Sequence, residues 1–316
     1  GDRNGKAISI FQGIKEYLDD SNIMFAQGCD IESNDYSGFD KAVSMAKKAD
    51  KIIMVLGEDY NMSGEAASRT NIKLPGIQTQ LIKTIRDELP NKPIVLVLMN
   101  GRPLDLTIED SLADAILEVW YPGTSGGLGV ADILFGKYNP SAKLPITFPR
   151  NLGQVPIYYN QKNTGRPISK ENPTEDYKSN YIDSPNTPLY PFGHGLSYTT
   201  FKYSEIKLSK GKVKESEILK ASSTITNTGD FDGHEIVQLY IRDKVGSITR
   251  PVKELKGFKK IFLKKGDSKT VVFEISPEDL KFYNNGKLIL ESGEFEIAIS
   301  PSSDFEFNKL FKLILN

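Results

Sequence analysis

Lys51-Ile52-Ile53-Met54-Val55-Leu56 and Pro93-Ile94-Val95-Leu96-Val97-Leu98-Met99 decide the fold of the first half of this chain. Each is a short continuous apolar run without polar alternation, the pattern of a parallel strand covered on both faces. Between them, Pro75 and Gly76 open a segment in which Ile77, Leu81, Ile82 and Ile85 share one helical face, with Pro75 near the first helical position. Asp40 to Lys48 reads as the helix feeding the first strand. Ala115 to Trp120 reads as a third strand, Gly127 to Phe135 as a helix, and Leu144 to Phe148 as the segment that closes the domain. Strand and helix alternate in this way across residues 1–150, which predicts an α/β sandwich domain with a mostly parallel sheet.

Working outward, periodicity is lost over residues 151–200, where Pro, Asn, Asp, Gly and Tyr dominate. So long a stretch without regular elements is expected to be an aromatic-rich linker between domains. From residue 201 to 316 the pattern becomes short alternating strands, among them Ile236 to Ile241, Thr270 to Ile275 and Phe295 to Ile299. About seven such strands predict an all-β sandwich of the immunoglobulin or fibronectin type III kind. Asn284-Asn285-Gly286 marks a hairpin within it.

Composition narrows the function classes. In 316 residues, 39% are hydrophobic and 26% charged, as in globular proteins, and the formal net charge is -1. That charge gathers neither phosphates nor anionic lipid, so neither nucleic acid nor membrane is expected as a partner, and a small neutral substrate fits better. Cys29 is the single cysteine, which rules out an intrachain disulfide and a cysteine metal cluster. No apolar run is long enough for a membrane helix, and the opening residues Gly1 to Lys6 lack the apolar core of a signal peptide.

Two constellations could carry chemistry. The loop from Glu58 to Leu74 leaves the carboxyl end of a buried strand, where α/β sheets bind ligands. It holds Glu58 and Glu65, either of which suits general acid work, although spacing alone is better accounted for by surface ion pairs with Arg69 or Lys73. Gly123-Thr124-Ser125-Gly126-Gly127 matches the strand-to-helix elbow of serine esterases, with Ser125 as nucleophile. The histidines that could serve it are His194, in the linker, and His234, in the sandwich. Its glycines have a plainer account as close packing at a helix start. Tyr158, Tyr159, Tyr177, Tyr181, Tyr190, Phe192 and Tyr198 could stack on sugars, but are better accounted for as buried area at a domain junction.

Taken together, Gly64 to Thr70, Leu74-Pro75-Gly76, Leu98 to Pro103, Gly136 to Pro149, Asn163 to Pro167, Tyr190 to Phe201 and Arg250 to Phe258 resemble glycoside hydrolase family 3, in particular its periplasmic bacterial β-glucosidases. The resemblance spans essentially the whole chain. It implies an N-terminal (β/α)8 barrel, an α/β sandwich domain and a fibronectin type III-like domain, of which this sequence supplies the last two. It further implies a retaining exo-hydrolase of β-linked sugars, in which a barrel aspartate is the nucleophile and a glutamate of the α/β domain is the acid/base. Glu65 matches that glutamate, with Glu58 in reserve. The aspartate lies in a Ser-Asp-Trp-like string absent here; Ser303-Asp304-Phe305 is the nearest match and falls in the sandwich. The chain alone is therefore expected to be inactive, with the barrel and a β-glycoside as its partners and with no cofactor or metal. On the same resemblance Ser125 is a turn residue and the location is periplasmic or secreted. A stand-alone carbohydrate-binding or structural module is the alternative function.

Overall fold

The three apolar runs pair as parallel strands in the order β1 (Ile52–Gly57), β2 (Ile94–Met99) and β3 (Ala115–Glu118), with Gly57 opposite Met99 and Leu98 opposite Glu118. A computed structural model describes residues 6–168 and 176–315 of the chain. These fall into two units, Gly1–Tyr138 with Phe148–Val155, and Asn139–Thr147 with Pro156–Asn316. The opening residues Gly1 to Gly5 lie outside the described set.

Among the described residues of the first unit, five α-helices accompany the sheet: α1 (Ile10–Lys15), α2 (Phe39–Lys48), α3 (Gln78–Glu88), α4 (Thr107–Leu112) and α5 (Gly126–Leu134). Helices α1 and α5 pack on each other and cover one sheet face, where Ile10, Ile14 and Val130 meet Val97, with Ile53, Met99 and Leu117 beside them. Pleating sends Met54, Leu56, Leu96 and Leu98 to the opposite face, and all four are buried. Helix α3 buries Leu81, Ile82 and Ile85 and packs against both α2 and α4. Val55 departs from the expected two-sided burial, being 46% exposed in the middle of β1.

Three boundaries differ from expectation, each for a local reason. Helix α3 begins at Gln78, so Pro75 precedes it by a turn; Gly76 at φ 58 lies in the left-handed region and delays the helix. Strand β3 stops at Glu118, short of Trp120, because Trp120 also takes a positive φ, of 49°. Leu144 to Phe148 forms no strand, and Asn139–Thr147 belongs to the second unit. There Leu144 N–H donates to His194 O at 2.7 Å, and Gly193 N–H donates to Leu144 O at 2.8 Å.

The second unit is a β-sandwich. One sheet runs β10 (Ser268–Ile275), β7 (Leu219–Asn227), β4 (Phe201–Tyr203), with β5 (Lys207–Leu208) also on β7. The other runs β6 (Lys212–Lys214), β14 (Lys309–Ile314), β13 (Gly293–Ser300), β8 (Gly233–Asp243), β9 (Glu254–Leu263). Inward residues of both sheets, including Ile225, Phe273, Val237, Leu239, Ile297 and Phe311, make one core. The predicted hairpin is present as β11 (Phe282–Asn284) and β12 (Lys287–Ile289), with Asn285 and Gly286 both at positive φ, the requirement of a two-residue turn.

The stretch expected to be an aromatic-rich linker falls within this unit from Pro156 onward. Tyr159 stacks on Phe192 at 4.3 Å and meets Tyr240 edge-on at 6.0 Å. Gln238 Nε2 donates to Gly193 O and to Pro301 O, and Tyr240 donates its hydroxyl to Gln238 Oε1 at 2.6 Å. A tight polar ladder beneath stacked rings explains why the segment needs no regular elements of its own.

Candidate active site at the carboxyl ends of the parallel strands

The loop after β1 starts from a constrained point. Gly57 has φ 151, and a Cβ there would overlap the Met99 carbonyl, so only glycine lets β1 and β2 approach this closely at their ends. The buried Gln78 amide then completes the strand end, accepting from Gly57 N–H and donating to Gly57 O, both at 2.8 Å. Glu58 N–H continues to Met99 O at 2.8 Å, so Glu58 leaves the sheet pointing along a fixed direction.

That direction is inward. The Glu58 side chain is fully buried, and it lies 2.6 Å from Arg69 Nη1 and 3.0 Å from Arg102 Nε. Its Oε2 also accepts from Gly101 N–H at 3.1 Å. Both guanidinium groups continue to backbone carbonyls of the same loop: Arg69 Nη2 donates to Lys73 O at 3.2 Å, and Arg102 Nη2 donates to Met62 O and to Ala67 O. A buried carboxylate without partners would be prohibitive, whereas one with two cations and a backbone donor is a stable anchor.

Glu65 stands at the opposite extreme. It is exposed, in a turn closed by Ala67 N–H donating to Gly64 O at 3.3 Å. Its neighbours Gly64 and Ala66 both have positive φ, 118° and 58°. Among the described residues no side chain bonds to the Glu65 carboxylate, which is thus held by its backbone alone and open to a proton-accepting or proton-donating role. Apolar and backbone contacts fix the loop ends: Met62 and Leu74 are buried, and Asp105 N–H donates to Ile72 O at 2.8 Å. Ser63 Oγ reaches Gly101 O, and the Tyr121 hydroxyl donates to Asp59 O at 3.1 Å.

Beneath the loop lies Glu118, at the end of β3. Trp120 N–H donates to its Oε1, while Oε2 is buried without a partner among the described residues. Burial is the main cause that pushes this carboxyl up to about 7. Asn100, also buried, donates from Nδ2 to Arg102 O at 2.6 Å. Arg102, Asn100 and Glu118 were not singled out from the sequence. Asn100 and Arg102 do fall in the string Leu98 to Pro103; Glu118 sits in an apolar run and gave no signal.

Ser125 is exposed at the start of α5 and makes no capping bond with its side chain. Neither histidine shares its unit: His194 stacks on Tyr190 at 5.3 Å, and His234 sits on β8 against Phe262. Among the described residues no group of three His, Cys, Asp or Glu side chains is disposed to hold a metal ion.

Residues 2–198 match the glycosyl hydrolase family 3 C-terminal domain, and residues 235–303 match a fibronectin type III-like domain. The chain is 45% identical to a periplasmic beta-glucosidase of Salmonella typhimurium, over 94% of its own length and 41% of that protein. It is 39% identical to a beta-xylosidase of Formosa agariphila, over 94% of its length and 40% of the relative. Among solved structures, the beta-glucosidase of Listeria innocua in complex with isofagomine superposes with a TM-score of 0.91 at 36% identity, covering 98% of this chain and 42% of that one. The chain thus spans about two fifths of the length of these relatives. It belongs to glycoside hydrolase family 3, as that family's C-terminal α/β domain followed by a fibronectin type III-like domain.

Proposed function

We propose that this chain supplies the general acid/base of a retaining β-glycoside hydrolase, with Glu65 as that residue and with the nucleophilic aspartate supplied by an N-terminal (β/α)8 barrel. The observation that carries the assignment is the contrast within one loop. Glu58 has both oxygens committed to buried partners, whereas Glu65 presents an uncommitted carboxylate on a pinned turn. Glu58 accordingly acts as the anchor of the loop and Glu65 as its working group. A retaining site needs a second carboxylate about 5 to 5.5 Å away, which the barrel provides. The substrate is a β-linked sugar of the kind named for the Salmonella and Formosa relatives, and the location is periplasmic or secreted, as the Salmonella relative's name supports.

Glu65→Gln, made in the hydrolase that joins this chain to its barrel, tests the role. Hydrolysis of an alkyl β-glycoside, whose leaving group needs protonation, should fall by about 10³-fold, and formation of the covalent intermediate from a dinitrophenyl glycoside by less than about 10-fold. Azide should restore turnover and yield a glycosyl azide, since it attacks the intermediate without a general base. The 316-residue chain alone should hydrolyse neither substrate. Equal losses on both substrates without azide rescue would remove the role from Glu65.

A further inference from the structure

Arg102 makes contacts that its position in the fold does not require. It follows β2 on the segment Asn100 to Pro103, far in sequence from the loop it touches. Its Nε faces the buried Glu58, and its Nη2 donates to two carbonyls, Met62 O and Ala67 O. Those carbonyls lie three residues before and two residues after Glu65. One planar group therefore closes the loop around the proposed acid/base from underneath. Arginine alone among side chains has donors diverging in one plane to meet a carboxylate and two carbonyls at once; a lysine ammonium offers a single point.

The turn needs such a brace. Gly64 and Ala66 are both in the left-handed region, which an L-residue such as Ala66 enters at a cost, so the turn carrying Glu65 is not a conformation the segment would keep unaided. Among the described residues no side chain grips Glu65, and its carboxylate is placed only as well as its backbone is placed. The brace is rigid in its own right. Glu58 is fixed by Arg69 and Gly101 N–H, and the carbonyl of Arg102 is held by buried Asn100.

We propose that Arg102 is a positioning residue for proton transfer: it fixes the Glu65 turn by bridging Met62 O and Ala67 O while Glu58 holds its Nε. The proposal rests on the assignment of Glu65 as acid/base, and it predicts that loss of the fork displaces Glu65 without removing it.

Two measurements on Arg102→Lys test it, and the double variant Glu58→Gln/Arg102→Gln, which leaves no unpaired buried carboxylate, repeats both should the first not fold. Amide exchange across 62–67 in the 316-residue chain should accelerate by about 10-fold or more, while the amides of β1 and β2 keep their protection. In the barrel-containing hydrolase, kcat on the alkyl glycoside should fall by about 100-fold with KM little changed, and intermediate formation from the dinitrophenyl glycoside by only a few-fold, since a misplaced acid matters only where protonation is needed. Unchanged exchange across 62–67 overturns the proposal whatever the kinetics. Equal kinetic losses on both substrates also overturn it, since they mark a general loss of structure. Glu65→Gln run on the same substrates separates the two levels: accelerated exchange together with a Glu65→Gln variant that shows no leaving-group dependence means that the acid/base assignment failed and the brace did not.

Discussion

The backbone N–H of Trp120 donates to Glu118 Oε1 at 2.8 Å and leaves Oε2 buried where no donor among the described residues meets it. Burial pushes this carboxyl up from an ordinary 4.5 to about 7; the bond from Trp120 N–H and the neighbouring Asn100 amide pull it down, and the charge of Glu58 pushes it up again. The folded chain therefore keeps a proton that the unfolded chain has already released. Stability from this site is fully present below about pH 4.5 and is lost as pH rises through about 7, a fall of about 3 kcal/mol. Glu118→Gln should abolish that part of the slope and be more stable than the parent at about pH 8, as read from urea midpoints at about pH 4.5 and about pH 8. Buried Glu109 and Glu235, raised mainly by the same desolvation, leave a residual slope in both proteins. Identical slopes for parent and variant would show Glu118 ionising freely.

Glu58→Gln removes the charge between Arg69 and Arg102 but keeps the size of the side chain. Two guanidinium groups, each under a fifth exposed, then face each other's charge with no anion between them. Breaking a buried pair from one side costs about 3 to 5 kcal/mol, well above the effect of an exposed ion pair such as Lys47 with Glu88. Glu88→Gln is the control and should stay within about 0.5 kcal/mol of the parent in the same urea titration. Comparable small losses in both variants would mean that the Glu58 cluster is not an anchor.

The contrast between Glu58 and Glu65 shows where the sequence stops being informative. The strands were legible because Ile94 to Met99 is too apolar to lie anywhere but between two layers, and the hairpin because Asn285-Gly286 tolerates positive φ. Spacing placed Glu58 and Glu65 in one loop but could not say which was buried, since that depends on Arg102, which approaches from the next strand. Glu118 was hidden for a related reason: one carboxylate at the end of an apolar run looks like the end of a strand. The transfer of Asn139–Thr147 to the second unit rests on backbone bonds between Leu144 and the segment at Gly193 and His194, and such pairing leaves no mark on residue type.

Gly57→Ala tests the constraint at the root of the loop. A methyl at φ 151 is strained, and it would overlap the Met99 carbonyl, which is backbone and cannot step aside without parting β1 from β2. A loss of more than about 4 kcal/mol is expected, enough to unfold the first unit in mild urea. Circular dichroism would show helix lost at low denaturant with the sandwich strands retained. A variant within about 1 kcal/mol of the parent would mean that the two strand ends have room to separate.

Ala66→Gly acts one residue from Glu65, and it separates the stability of the turn from its precision. Ala66 holds φ 58, a region costing an alanine about 1 kcal/mol relative to glycine. Glycine relieves that strain but has more freedom to lose on folding, so the net change in stability should be small, between about 0 and 1 kcal/mol in favour of the variant. Freedom also remains in the folded turn, where Glu65 has no side-chain partner among the described residues to hold it. On the proposed role of Glu65 as acid/base, the variant of the full-length hydrolase should therefore be at least as stable as the parent and yet slower by about 3- to 10-fold on an alkyl glycoside, with activated aryl glycosides nearly unaffected, because a loosened acid spends less time within reach of the leaving oxygen. Thermal midpoints and the two kcat values decide the matter. A variant as fast as the parent on both substrates would show that the backbone of this turn does not set the reach of Glu65.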